Sequence, residues 1–261
     1  MSRQIGGDPQ LAASRHQIIL DTLRSRGQVG ANALADTLGV THETVRKDLV
    51  HLQELGLLRR VHGGAVPVEA LTHEVPVGGR TAYGPEKTRI ADAALQFVPE
   101  SGAVLVDSGT TTAAFGESLP ALTNLVAFTN SLPIALALVP RLGGVTILGG
   151  RVRAATLGTA DAWAVRALEG VRADVAFLGA NAISSEHGLA TPDEIEAELK
   201  AALIRSSRLR VLLADHSKFG RESVHRYAVL SDIDVLVTDT GLPQADADAI
   251  TRDHGVEVIR A

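Results

Sequence analysis

Thr41-His42-Glu43-Thr44-Val45-Arg46-Lys47-Asp48-Leu49-Val50-His51-Leu52 is the stretch on which the fold turns. Val45, Leu49 and Leu52 recur at i, i+4 and i+7, the spacing of a helix with one apolar face, and Thr41 stands where an N-cap belongs. That face must pack on other helices, which leaves His42, Glu43, Arg46 and Lys47 directed outward and Thr44 near the border. Upstream, Ala31 to Leu38 reads as a helix with Leu34 and Leu38 inward, closed by Gly39. Before it, Arg15 to Arg26 places Ile18, Ile19 and Leu23 on one face and stops at Gly27. Two helices joined by only Gly39 and Val40 carry the helix-turn-helix signature. Downstream, Leu57 to Val66 reads as a short β-hairpin, a wing. Residues 15–66 thus predict a small winged helix-turn-helix domain, preceded by a mobile tail over residues 1–14.

If the third helix enters a major groove, Arg46 grips a guanine, a contact worth roughly 1–3 kcal/mol of discrimination, and Lys47 meets phosphate. Thr41, His42, Glu43 and Thr44 line the same approach, and Arg59, Arg60 and His62 on the wing are placed for backbone or minor-groove contact. The alternative is that Arg46 and Lys47 form a solvated helix face. Asp48 reads as structural, paired with a nearby arginine, because a carboxylate facing DNA is repelled.

Charge is split along the chain. Residues 1–66 hold 8 Lys/Arg against 6 Asp/Glu, and residues 67–261 hold 17 against 24, for a net −5 over 261 residues. A basic head on an acidic body suits a protein touching nucleic acid at one end. The chain has no cysteine, which excludes a disulfide scaffold and cysteine-ligated zinc. No signal peptide or apolar span is apparent, so a cytoplasmic protein without membrane contact is expected. The histidines show no metal-ligand spacing, and no cofactor is expected.

Residues 67–85, with three prolines and three glycines, read as a linker. In residues 86–261, short apolar runs alternate with helical stretches: Ala103–Val106, Leu125–Phe128, Val145–Leu148, Val175–Leu178, Val211–Ala214, Val235–Thr238 and Val256–Ile259. Near-continuous apolar strands separated by helices predict a doubly wound, mostly parallel α/β sheet covered on both faces. Polar or glycine residues follow successive strands, where open α/β sheets bind ligands. They are Asp107-Ser108-Gly109-Thr110-Thr111, Thr129-Asn130, Gly149-Gly150, Gly179 with Asn181, and Asp215 with Lys218. The Ser108–Thr111 turn offers N–H groups and hydroxyls to an anion; such turns also serve merely as helix caps. Lys218 supplies a positive charge for a phosphate, and Asp107, Asn130 and Asp215 suit sugar hydroxyls. Glu196 and Lys200, one turn apart, either line the pocket or form an i,i+4 surface pair, the more economical account.

The head resembles the DeoR family of repressors through Val40-Thr41, Thr44-Val45-Arg46-Lys47-Asp48-Leu49 and the Arg59-to-Ala65 ending. The body resembles the same family through Lys87 with Ile90-Ala91, Asp107 to Thr111, Thr129-Asn130, Gly149-Gly150, Gly179, Gly188-Leu189 and Asp215 to Gly220. That family's effector domain looks like ribose-5-phosphate isomerase and glucosamine-6-phosphate deaminase. The resemblance implies a homo-oligomer, dimer or tetramer, that binds double-stranded operator DNA and leaves it when a phosphorylated sugar binds. It also implies that the Ser108–Thr111 loop and Lys218 hold the phosphate. The stretch Asn181 to Glu186 departs from the family's commoner Asn-Gly-Ile.

The competing class is a phosphosugar isomerase or deaminase with a fused DNA-binding head, for which Asp107, Glu186, His187 or Asp215 would supply the base. The Asp-Gly-His arrangement of the deaminases is missing, with Ser185-Glu186-His187-Gly188 in its place, so catalysis is not expected. A third class, a regulator sensing only a protein partner, requires a disabled phosphate loop, and this loop looks intact.

Overall fold

The structure, a computed structural model, describes residues 9–55, 57–61, 63–67, 71–72 and 74–261. The chain divides into two compact units, Met1–Val75 and Pro76–Ala261. Among the described residues no helix is long and apolar enough to cross a membrane.

The first unit runs α1 (Pro9–Arg26), β1 (Val29–Gly30), α2 (Ala31–Leu38), α3 (His42–Glu54), β2 (Arg59–Val61) and β3 (Gly64–Val66). α2 and α3 fall where the apolar spacing puts them. Gly39 ends α2 in the left-handed conformation, and the Thr41 hydroxyl accepts the Thr44 N–H to start α3. α1 begins at Pro9 rather than Arg15, because Pro9 to Ser14 continues the helix without an apolar stripe to announce it. The remainder of the expected tail, residues 1–8, lies outside the described residues. The wing is a three-stranded antiparallel sheet in the order β1-β3-β2, in which β1 adds a strand to the expected hairpin. Ile19, Leu23, Leu34, Val45, Leu49, Leu52, Leu58 and Ala65 form one core.

Asp48 is buried in this unit and ties α3 to α1. Arg15 donates two hydrogen bonds to it, each 2.9 Å, and His16 Nε2 lies 3.0 Å away. Burial alone would raise its carboxyl, but these partners outweigh burial and hold it below the ordinary range.

In the second unit, α4 (Gly84–Ala94) leads into seven parallel strands: β4 (Gly102–Val106), β5 (Leu122–Thr129), β6 (Leu142–Ile147), β9 (Ala173–Gly179), β12 (Ser207–Leu213), β14 (Val235–Thr238) and β15 (Glu257–Arg260). These coincide with the expected apolar runs, shifted or lengthened by a few residues. Between them lie α5 (Thr110–Ser118), α6 (Leu132–Leu138), the hairpin β7 (Val152–Arg153) with β8 (Gly158–Thr159), and α7 (Ala162–Ala167). Then come β10 (Ala182–Ser184), β11 (Gly188–Thr191), α8 (Glu194–Arg205), β13 (His225–Ala228) and α9 (Gln244–His254). β10, β11 and β13 form a small antiparallel sheet. α4, α5 and α6 cover one face of the large sheet, with Phe115 stacked on Phe177, and α7, α8 and α9 cover the other. This is the predicted α/β architecture, small winged head and doubly wound body.

Strand order is β15-β14-β12-β9-β4-β5-β6. The chain builds outward from β4 to β6, then returns to the other side of β4 with β9. The β4/β9 junction is therefore the topological switch point, where the carboxyl ends of strands open a crevice.

Candidate functional site

In the head, His42 and Arg46 of α3, Asn32 at the start of α2, and Arg60, Val61 and Gly63 of the wing line one groove. Arg46 is exposed and shares its guanidinium with Glu43, Nε to Oε2 at 3.0 Å. Lys47, Arg59 and Arg60 are exposed, with no ion-pair partner among the described residues. Gln53 of α3 accepts the Arg60 N–H at 2.8 Å, anchoring the wing to the same helix. Thr41 and Thr44 join their hydroxyls in the cap, 2.9 Å apart. His62 lies outside the described residues. Asn32 escaped the sequence reading, since a polar residue in a first helical turn looks like any cap.

At the switch point in the second unit, Asp107 ends β4 fully buried. It accepts the Gly179 N–H at 3.0 Å and is ion-paired with Lys200 of α8, whose ammonium also donates to the Gly179 carbonyl at 3.0 Å. Tyr227 of β13 donates to that carbonyl too, at 3.2 Å. Burial would lower the Lys200 amine, but Asp107 outweighs burial and raises it. The expectation that Glu196 and Lys200 form a surface pair is overturned: both lie on the buried side of α8, whose exposed side carries Glu194, Glu198 and Arg205, and they point to different partners. Glu196 takes Arg153 from the β7–β8 hairpin at 2.6 Å. Asp107 and Gly179 thus hold the crevice floor from below; the structure does not turn the Asp107 carboxylate toward solvent.

The Ser108–Thr111 loop sits on that floor. Asn130, buried at the end of β5, accepts the Ser108 N–H at 2.9 Å and donates to Ser108 Oγ and the Thr159 carbonyl, both at 3.2 Å. Its amide is engaged in shaping the loop, and Thr129 similarly accepts the Ser131 N–H at 3.1 Å. The β7–β8 hairpin closes over Ser108 at Gly158, where a Cβ would stand 2.9 Å from Ser108 Oγ. Nothing in the sequence singles out Gly158. Thr110 opens α5 beside Gly109, and Thr111 is buried.

Two strands along the rim, the Asp215–Lys218 turn follows β12; with β9 between, the spacing from β4 is about 10 Å. Asp215 caps this turn, its Oδ1 accepting from Ser217, while its buried Oδ2 has no hydrogen-bond partner. Lys218 and Arg221 flank it, Lys218 without a side-chain hydrogen bond among the described residues and Arg221 with a buried, unpartnered Nε. Lys87 of α4 is buried nearby, donating to the carbonyls of Arg80 and Ala82 at 3.1 and 2.6 Å. Burial pushes the Lys218 amine down to about 8; Asp215 opposes the shift, and Arg221, Arg80 and Lys87 add to it. Burial lowers Lys87 as well. The cluster therefore carries more positive than negative charge, in a half-dry setting that favours an anion. Gly149 and Gly150 stand apart at the end of β6. There the left-handed Gly150 (φ 118°) lies against Asp161, the N-cap of α7, which accepts the Arg151 N–H. Asn181 is half-buried between β9 and β10.

Residues 15–70 match the DeoR-like helix-turn-helix domain, and residues 84–240 match the DeoR C terminal sensor domain. The HTH-type transcriptional regulator GlpR of Haloferax volcanii is 35% identical over 95% of this chain and 98% of its own length. The glycerol-3-phosphate regulon repressor of Escherichia coli is 30% identical over 94% of this chain and 97% of its own. Among solved structures, ribose 5-phosphate isomerase A from Neisseria gonorrhoeae aligns over 52% of this chain and 53% of its own, at 20% identity and a TM-score of 0.38. With both of its units matched, this chain belongs to the DeoR family of helix-turn-helix transcriptional regulators.

Proposed function

We propose that this chain represses genes of sugar or polyol phosphate metabolism by holding operator DNA with α3 and the wing, and that a phosphorylated sugar or polyol releases it. The observation that carries the reading is the cluster of Lys218, Arg221 and Lys87 around Asp215, two strands along the rim from the Ser108–Thr111 loop. A phosphate supplies the missing negative charge, and sugar hydroxyls reach the loop. The relatives named as glycerol-3-phosphate regulon repressors favour the same ligand class. The reading is non-catalytic. A proton-transferring base must face its substrate, whereas Asp107, the carboxylate at the switch point, is buried against Lys200. Ligand binding favours one arrangement of the chain over another, and a coupling of about 1–3 kcal/mol changes operator affinity roughly 5- to 150-fold.

The test is fluorescence anisotropy on DNA from upstream of the protein's own gene. Glycerol 3-phosphate, fructose 1-phosphate and fructose 6-phosphate are each compared with the unphosphorylated compound. One phosphate ester is expected to release the DNA while its parent alcohol does not. Lys218→Met is expected to bind DNA normally and ignore that ester. Release by the parent alcohol, or an unchanged response in Lys218→Met, overturns the assignment.

A further inference from the structure

From Leu119 to Gly150 the sequence contains one charged residue, Arg141. Its guanidinium turns inward, donating to the carbonyls of Gly116, Glu117 and Leu119. The surface built by this stretch is consequently uncharged. α6 is apolar on both sides: Ile134 and Leu138 enter the core, while Leu132, Leu136 and Val139, at i, i+4 and i+7, face solvent, with Leu136 77% and Val139 62% exposed. A helix apolar all round belongs in an interior. Beside it β6, Leu142-Gly-Gly-Val-Thr-Ile147, ends the large sheet, and no strand among the described residues pairs with its outer edge. Val126 and Ile147 add exposed apolar surface there. The opposite edge, β15, carries Glu257 and Arg260, the usual protection against edge pairing; β6 carries none.

We infer that the α6–β6 edge is the surface through which two copies of this chain pair. The occupant follows from charge and symmetry. Residues 67–261 carry a net −7, so two copies repel over most of their surface, and this uncharged edge lets them meet without that cost. Unpaired N–H and C=O groups on β6 find their complement on an identical edge, as a two-fold contact requires. Nucleic acid or a charged partner finds nothing complementary here. The inference does not depend on the identity of the effector, since it concerns the mass of the assembly.

Sedimentation equilibrium of the full-length protein tests it. The wild type is expected to be dimeric or larger, and Leu136→Asp to lose half its mass at the same concentration with an unchanged circular dichroism melt. Thr146→Lys, an exposed polar site on β6, gives the same readout if Leu136→Asp folds poorly. Glu257→Lys on the far edge is expected to leave the mass alone. A monomeric wild type, or undiminished mass in both edge variants, overturns the inference.

Discussion

The Arg46–Glu43 pair of the head and the Lys200–Asp107 pair of the sensor unit use similar groups in opposite surroundings. The first lies on a helix face with side chains 63% and 56% exposed, and the second is at 2% and 0%. In water an ion pair is screened and weak, and its members are readily given to another partner. In a dry interior each member depends on the other, and removing one leaves an uncompensated charge. The head therefore keeps its cations loosely held, as the proposed contact with DNA requires, while the sensor unit builds its floor from groups that cannot be exchanged. The difference separates residues that act from residues that place the actors.

The sharpest way to break that contrast is Lys200→Met. With Asp107 left buried beneath the loop, stability is expected to fall by about 3–5 kcal/mol in urea titration. Lys200→Met combined with Asp107→Leu is expected to recover a large part of the loss. A cost below about 1 kcal/mol for the single change would make the buried pair equivalent to an exposed one.

Asp48 tests the boundary between the two regimes, since it belongs to the head yet is buried. Asp48→Asn is expected to destabilise the head by about 2 kcal/mol, through loss of charge-assisted bonds to Arg15 and His16. Its carboxyl is depressed in the folded state, so the contribution is present above the unfolded carboxylate pKa of about 4 and is lost as pH falls through the folded value. Thermal melts of wild type and Asp48→Asn are therefore expected to converge in acid. A gap that persists there would point to packing rather than charge.

The smallest expected effect concerns Lys218, which stands between exposed and buried. Its amine is held near 8 in the free protein, and a bound phosphate favours the ammonium. Phosphate-ester affinity is thus expected to fall as pH rises above that value, by up to about tenfold per pH unit, or roughly 1.4 kcal/mol. Isothermal titration calorimetry across that pH range reads the affinity directly. Lys218→Arg is expected to flatten the dependence; an equally steep profile in that variant would move the titration to another group.

The same contrast explains what could be read in advance. α2, α3 and the outward set His42, Glu43, Arg46 and Lys47 are local: a 3.6-residue period and a cap define them without the rest of the chain. The seven strands were legible because parallel strands buried on both faces are short unbroken apolar runs. Loop positions followed from strand ends, but the direction of each side chain did not. Asp107 and Asn130 look like ligand groups in sequence, and only the neighbouring strand turns them inward. Lys200 looked like a surface partner for Glu196 because i,i+4 spacing is the same on buried and exposed helices. Arg221 and Gly158 gave no signal, since their roles depend on elements far away in the chain.

The knot of Asp107, Gly179 and Lys200 also bears on how the chain finds its fold. Strands such as Val104–Val106 and Val175–Leu178 are apolar on both faces, so sliding one past the other by a residue still buries apolar groups and exposes no polar ones. Hydrophobicity alone is nearly blind to that error. The carboxylate of Asp107 meets the N–H of Gly179, and the ammonium of Lys200 meets both that carboxylate and the Gly179 carbonyl, in only one alignment of β4 against β9. A slipped pairing leaves a charge stranded in the interior, and the buried pair thereby acts as a register key for a sheet whose strands are otherwise interchangeable.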